Sequence, residues 1–246
     1  MNLIMIKEAI VLAGGFGTRL QSVVSDVPKP MAPINNQPFL NYLFNYLTSF
    51  GVTRLLISTG FLHEKIEEYY NNLPQSCLWN GAEIIFSHEV EPLGTGGAIR
   101  FAMDKCNDAE VLVVNGDSFF DIDITKFSKK HGAEKANHSL ALREVVDSSR
   151  YGTVQLDDTS NRIINFREKT GEVKKGLING GVYILNKQLF QSSTPKATNF
   201  SIEKDFFEKQ LFKQLLAGFE FDGYFIDIGI PEDYKRAQHE FERLNY

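Results

Sequence analysis

Four short apolar runs constrain this chain more than any other feature: Ala9-Ile10-Val11-Leu12, Leu55-Leu56-Ile57-Ser58, Ile84-Ile85-Phe86 and Val111-Leu112-Val113-Val114. Each is continuous rather than alternating and gives way to Gly or polar residues, the pattern of strands buried on both faces of a parallel sheet. Between them lie segments of helical period: Pro38 to Phe50 with Leu40, Leu43, Phe44 and Leu47 on one face, His63 to Tyr70 with Ile66 inward, and a third that starts at Gly94 and carries Ala98, Ile99 and Ala102. This alternation predicts an α/β fold, a Rossmann-like mixed and mostly parallel sheet with helices on both faces. After residue 138 the strands come closer together, at Ser139 to Arg143, Gly152 to Leu156, Arg162 to Phe166 and Gly181 to Leu185, which predicts antiparallel pairs. Helices are expected over Ile202 to Leu216 and Pro231 to Leu244, with a strand from Gly223 to Ile228 between them and Asp227 near its carboxyl end.

No Pro/Ser-rich linker, charge block or repeat divides the 246 residues, so residues 1–246 read as a single domain. A net charge of -5 argues against a broad nucleic-acid footprint and requires any anionic ligand to be held by a local cationic site. The apolar Met1 to Ile6 is too short for a signal h-region, and no run reaches the roughly 18 apolar residues of a membrane span. Together with Cys77 and Cys106, which lack metal-ligand spacing and read as reduced structural thiols, this predicts a cytoplasmic protein. His63, His88, His131, His138 and His239 show no triad pairing with Ser or Cys and read as structural or surface residues. The aromatic content fits a core or a dimer interface equally, so a homo-oligomer is compatible with the sequence.

Chemistry is suggested first by Gly14, Gly15 and Gly17, which follow a buried strand and can turn successive backbone N-H groups toward an anion. Their spacing fits neither the dinucleotide fingerprint nor the Walker pattern. Arg19, and Lys29 held between Pro28 and Pro30, add cationic groups suited to a polyphosphate. Asp117 follows the most apolar strand, and Asp227 holds a similar position later in the chain. If they meet, their repulsion is relieved by a divalent cation, and Mg²⁺ suits such oxygen ligands.

Leu12 to Leu20, Pro28-Lys29-Pro30, Asn115-Gly116-Asp117, Glu168-Lys169, Asn179-Gly180-Gly181 and Phe225 to Gly229, in this order along nearly the whole chain, resemble the nucleoside-diphospho-sugar pyrophosphorylases. Pro30 to Asn35, Pro92 to Ile99, Leu177 to Tyr183 and Tyr224 to Tyr234 look more narrowly like guanylyltransferases acting on heptose 1-phosphate, and next on mannose 1-phosphate. No hexapeptide-repeat β-helix, the mark of a second acyltransferase activity in some relatives, is read in the sequence. The resemblance implies GTP and a sugar 1-phosphate as substrates, Mg²⁺ as cofactor, and a product that feeds bacterial surface polysaccharide. Leu12, Ala13, Gly14, Gly15, Gly17 and Thr18 would hold the nucleotide, Arg19 the leaving phosphates and Lys29 the phosphates at the reacting centre. Asp117 and Asp227 would hold the metal. Lys169 would contact the sugar phosphate, with Gly152, Glu168, Asn179, Gly180, Glu203 and Asp205 around the sugar. Gly94, Thr95 and Gly96 match the segment that approaches the base, where Glu89 or Glu91 could accept from the guanine edge. The competing readings are uridylyl or thymidylyl transfer to glucose 1-phosphate and a catalytically silent regulatory subunit of the same fold. Such subunits typically lose the phosphate and metal residues, which are present here.

Overall fold

The computed structural model describes residues 5–74, 79–169, 171–196, 198–211 and 216–244. Cys77 lies outside the described residues.

The chain opens with β1 (Glu8–Ala13), a small hairpin of β2 (Pro33–Ile34) and β3 (Gln37–Pro38), then α1 (Phe39–Ser49). Next come β4 (Arg54–Thr59), α2 (His63–Asn71), β5 (Glu83–His88) and α3 (Gly94–Ala102). β6 (Glu110–Asn115), β7 (Ser118–Phe120), α4 (Ile124–Glu134) and β8 (His138–Val145) follow. The last third holds β9 (Thr153–Leu156), β10 (Ile163–Arg167), β11 (Gly176–Asn186), α5 (Lys187–Ser193), α6 (Glu208–Gln210), β12 (Leu216–Glu220), β13 (Phe225–Asp227) and α7 (Pro231–Glu240).

Among the described residues nine strands form one sheet, ordered β10-β9-β11-β6-β1-β4-β5, with β8 beside β11 and β12 beside β8. The four apolar runs are its contiguous parallel part, ending at the edge strand β5: β1 pairs with β4 and β6, and β4 with β5, all parallel. β11 pairs antiparallel with β6 and β8. The sheet is therefore mixed, as the spacing of the later strands predicts.

Strand periodicity divides the core in two. Val11, Ile57 and Leu112 face one layer with Phe39, Leu43 and Leu47 of α1, whereas Ile10, Leu56 and Val113 face the other with Ile99, Phe190 and Phe206. Helices on both faces follow from this, because a strand apolar on both sides leaves each face to be covered. Each fully buried Leu or Ile contributes about 1.5–3 kcal/mol. Glu8, almost wholly buried, is paired with Arg54 and accepts from the backbone N-H groups of Asn107 and Asp108, both at 2.7 Å, which secures the amino ends of the central strands.

Two expectations are corrected. The helix expected over Ile202 to Leu216 is a π-helical turn over Ile202–Phe207 followed by the short α6; Leu216 already belongs to β12, and residues 212–215 lie outside the described residues. The strand carrying Asp227 is not part of the large sheet: β13 pairs antiparallel with β7 in a separate two-stranded ribbon. Among the described residues no helix is long and apolar enough to cross a membrane.

Candidate active site

β1 ends at Ala13 and the glycine loop leaves the sheet at the carboxyl ends of the parallel strands. Gly17 has φ +59°, and a Cβ there would come within 2.9 Å of Lys29 Cβ, so the loop can close over Lys29 only with glycine at this position. Gly116 lies equally close to β1: its N-H donates to Leu12 O at 2.9 Å, and a Cβ would sit 2.4 Å from that oxygen. Asn115-Gly116-Asp117 is thereby pressed against the start of the loop.

Lys29 begins a single 3-10 turn over Lys29–Met31 and its side chain is only 9% exposed. Its Nζ donates to Asp117 Oδ2 at 2.7 Å and to Asp227 Oδ1 at 3.4 Å. The ribbon register explains the meeting: Asp227 lies opposite Ser118, the neighbour of Asp117, and Ile228 N-H donates to Asp117 O at 3.0 Å. Burial, then the Asp117 charge, raises the pKa of the Asp227 carboxyl above the usual range, against the opposing pull of Lys29 and the Gly229 N-H. The cluster is thus a pair of carboxylates with one ammonium between them.

Two cavities adjoin it. The smaller, about 180 Å³, is lined by Gly15, Gly17, Thr18, Arg19, Lys29 and Asp117. The larger, about 650 Å³, shares Leu12, Gly15 and Asp117 with it and extends past Gly14 toward Phe61, Glu89 and Thr95. Glu89 accepts from Ser58 Oγ at 3.0 Å and from Leu93 N-H at 2.9 Å, which holds its carboxylate in the wall; Glu91 is exposed and outside the lining.

A third cavity, about 330 Å³, gathers Gly152, Glu168, Lys169, Asn179 and Glu203 with Tyr151. Asn179 Nδ2 donates to Tyr183 Oη at 2.8 Å and to Glu203 Oε1 at 3.2 Å, and Tyr183 also hydrogen-bonds Asn115, a lining residue of the cavity of about 650 Å³. Two hydrogen bonds therefore link the cavities. Lys204 donates to Glu168 Oε1 at 2.6 Å and lowers the Glu168 pKa.

Other sequence-predicted residues sit elsewhere. Gly180 packs against the Phe120 ring, and Asp205 accepts from Ser201 N-H at 2.9 Å; neither lines the third cavity. Gly96 lies at the start of α3 against the Phe200 ring and donates its N-H to Phe200 O at 2.9 Å, away from the cavity that Gly94 and Thr95 line. Ala13 is fully buried beneath the loop.

Two of the histidines depart from the sequence reading. His63 and His88 line the cavity of about 650 Å³ with their rings 3.6 Å apart. His131 does pair with a serine, Ser139 Oγ at 2.8 Å, and lies near Glu110, but both histidine and serine are buried and no substrate can reach them. Composition and periodicity carried no signal for Tyr151, Arg167 or Lys204 in the third cavity. His63 and Glu67 had one, an i,i+4 spacing on one helix face.

Comparison with known proteins places the chain among relatives of the same fold. The family model for nucleotidyl transferases matches residues 8–243. The chain is 48% identical over 235 residues to D-glycero-alpha-D-manno-heptose 1-phosphate guanylyltransferase of Aneurinibacillus thermoaerophilus, covering 96% of this chain and 98% of that protein. It is 44% identical over 231 residues to the protein of the same name from Campylobacter jejuni, covering 92% and 96%. Among solved structures it resembles HddC from Yersinia pseudotuberculosis, with a TM-score of 0.83 and 36% identity over 96% of this chain and 100% of that one; HddC has also been solved complexed with GMP-PN.

Proposed function

The chain belongs to the nucleotidyl transferase family, and from that premise we propose that it works as one nucleotidyltransferase domain that transfers a guanylyl group from GTP to D-glycero-α-D-manno-heptose 1-phosphate, giving GDP-heptose and pyrophosphate. The observation that carries this reading is the convergence of Lys29, Asp117 and Asp227 beside the glycine loop, between cavities large enough for the two substrates. The choice of sugar and base rests on the 48% and 44% identical relatives.

In the reaction a phosphate oxygen of the sugar 1-phosphate attacks the α-phosphorus of GTP, and the bond from that phosphorus to the bridging oxygen breaks, so that pyrophosphate leaves in line. The nucleophile is already ionised at neutral pH, so catalysis consists of aligning two anions and stabilising charge on the transferring group. The backbone of Gly14, Gly15 and Gly17, with Leu12 and Thr18, cradles the nucleotide, and Arg19 neutralises the leaving phosphates. Lys29 faces the transferring group. Lys169 holds the sugar phosphate, with Gly152, Glu168, Asn179 and Glu203 around the sugar. Glu89 reads the guanine edge, a role its position in the cavity wall favours over the exposed Glu91.

Asp117 and Asp227 fit a magnesium ion: both offer hard oxygen donors, they converge on one positive charge, and the raised Asp227 carboxyl marks a place where a further cation lowers the energy. When bound there, Mg²⁺ supplies positive charge to phosphate oxygens.

The test is pyrophosphate release across GTP, UTP, dTTP and ATP, each with heptose, mannose and glucose 1-phosphate. Highest kcat/KM for GTP with heptose 1-phosphate is the expected result. Preference for mannose 1-phosphate would reassign the sugar, and GTP binding with no release from any pair would establish a silent regulatory subunit.

A further inference from the structure

The geometry points to a second metal site, for a zinc-type divalent ion, formed by His63, Glu67 and His88 on the wall of the cavity of about 650 Å³. One ligand atom from each of the three lies within 4.8 Å of the others. Two come from one helix face: His63 and Glu67 stand i,i+4 at the start of α2, where neighbouring side chains meet. The third comes from the last residue of β5.

Each nitrogen is suited to its role. His63 Nδ1 faces Glu67 Oε1 at 3.2 Å, while its Nε2 lies 3.1 Å from Glu64 Oε1. With Nδ1 on a metal, the Nε2-H donates to Glu64, the carboxylate-histidine-metal arrangement that fixes tautomer and ring orientation. His88 Nδ1 is buried and has no hydrogen-bond partner in the protein. Leaving such a nitrogen unpaired costs free energy, and coordination removes that cost.

The approach to α2 is also strained. Leu62, the residue preceding it, adopts φ +54° and ψ +36°, a left-handed conformation that costs a leucine about 1–2 kcal/mol. That conformation presents His63 in the first turn, toward His88.

Two imidazoles and one carboxylate select zinc-type ions over Mg²⁺, which prefers oxygen alone. Tetrahedral bonds of about 2.0–2.1 Å separate ligand atoms by about 3.3–3.4 Å, close to the 3.2 Å already held between His63 Nδ1 and Glu67 Oε1, so the His88 side chain makes the remaining adjustment by rotation. His63 and His88 line the cavity and Glu67 does not, so two of the three ligand residues are reached from it. The site is distinct from the Asp117 and Asp227 pair, and it stands on these three side chains whatever molecule the cavity takes.

The test is metal titration of the full chain after chelator treatment, with Co²⁺ as the visible probe and Zn²⁺ as its competitor. One tetrahedral Co²⁺ per chain, displaced by Zn²⁺, is expected. His63→Ala and His88→Ala should each weaken binding by more than about 100-fold, and Glu64→Gln by about tenfold. Asp117→Asn should leave the signal unchanged. Circular dichroism checks that each variant is folded, and the isosteric Glu67→Gln, expected to weaken binding by more than about tenfold, serves if an alanine variant does not fold. Folded wild type without stoichiometric Co²⁺ binding overturns the inference. So does equal affinity in folded histidine variants, or loss of the signal in Asp117→Asn.

Discussion

Asp117 and Asp227 share one ammonium: Lys29 Nζ lies 2.7 Å from Asp117 Oδ2 and 3.4 Å from Asp227 Oδ1. Like charges this close oppose each other, and the fold keeps them together through the β7-β13 register and the buried stem of Lys29. Such an arrangement sacrifices stability where function requires charge.

Asp117→Asn and Asp227→Asn are expected to lower turnover by about 10³-fold while leaving the fold intact, measured by pyrophosphate release at saturating Mg²⁺. Full activity of either variant would remove the metal role.

Asp227→Asn is also expected to be more stable than the wild type at neutral pH, by about 2–4 °C in melting temperature. The folded Asp227 carboxyl is raised by burial and the Asp117 charge, so the folded state binds this proton more tightly than the unfolded chain. The contribution of Asp227 to wild-type stability is therefore present below the unfolded value of about 3.9 and is lost as pH rises through the folded one. The advantage of Asn should be present at pH 7 and shrink toward pH 4; thermal melts of both proteins across that range check it.

Glu89→Gln should reduce the preference for GTP over UTP by about 10- to 100-fold in kcat/KM, because the amide donates where the guanine edge also donates. Glu91→Gln should leave the preference unchanged. Equal preference in wild type and Glu89→Gln would remove the base-reading role.

His138 is fully buried, and burial, followed by the His131 charge, lowers its pKa to about 3. Folding keeps this ring neutral, so its contribution is complete above the unfolded value of about 6.5 and is lost as pH falls toward the folded value, by up to about 1.4 kcal/mol per pH unit. Denaturant unfolding of His138→Leu between pH 5 and pH 8 should show a flatter pH dependence than the wild type. An unchanged slope would assign acid sensitivity to other groups.

Gly96→Ala should destabilise by about 1–3 kcal/mol, because its Cβ would fall 2.1 Å from the buried Phe200 ring. If Gly96 serves this packing, GTP affinity of the folded variant, measured by calorimetry, should stay within about twofold of wild type, well under the tenfold that 1.4 kcal/mol represents. A larger loss without destabilisation would instead indicate contact with the nucleotide.

What the sequence by itself determined was local. Continuous apolar runs such as Val111 to Val114 must be covered on both faces, so the parallel part and its helices were legible, as were the glycine loop and the carboxylates as separate candidates. Period and spacing report which face a residue takes within its own element, and they say nothing about which elements close on one another. Tertiary structure alone decided that β13 leaves the large sheet to pair with β7, and that register is what brings Asp227 to Asp117 and both to Lys29. The same holds for His88 meeting His63 across β5 and α2, and for Gly96 turning to Phe200 rather than the cavity. Each of these depends on contacts between distant segments, whose geometry is set by packing of the whole core.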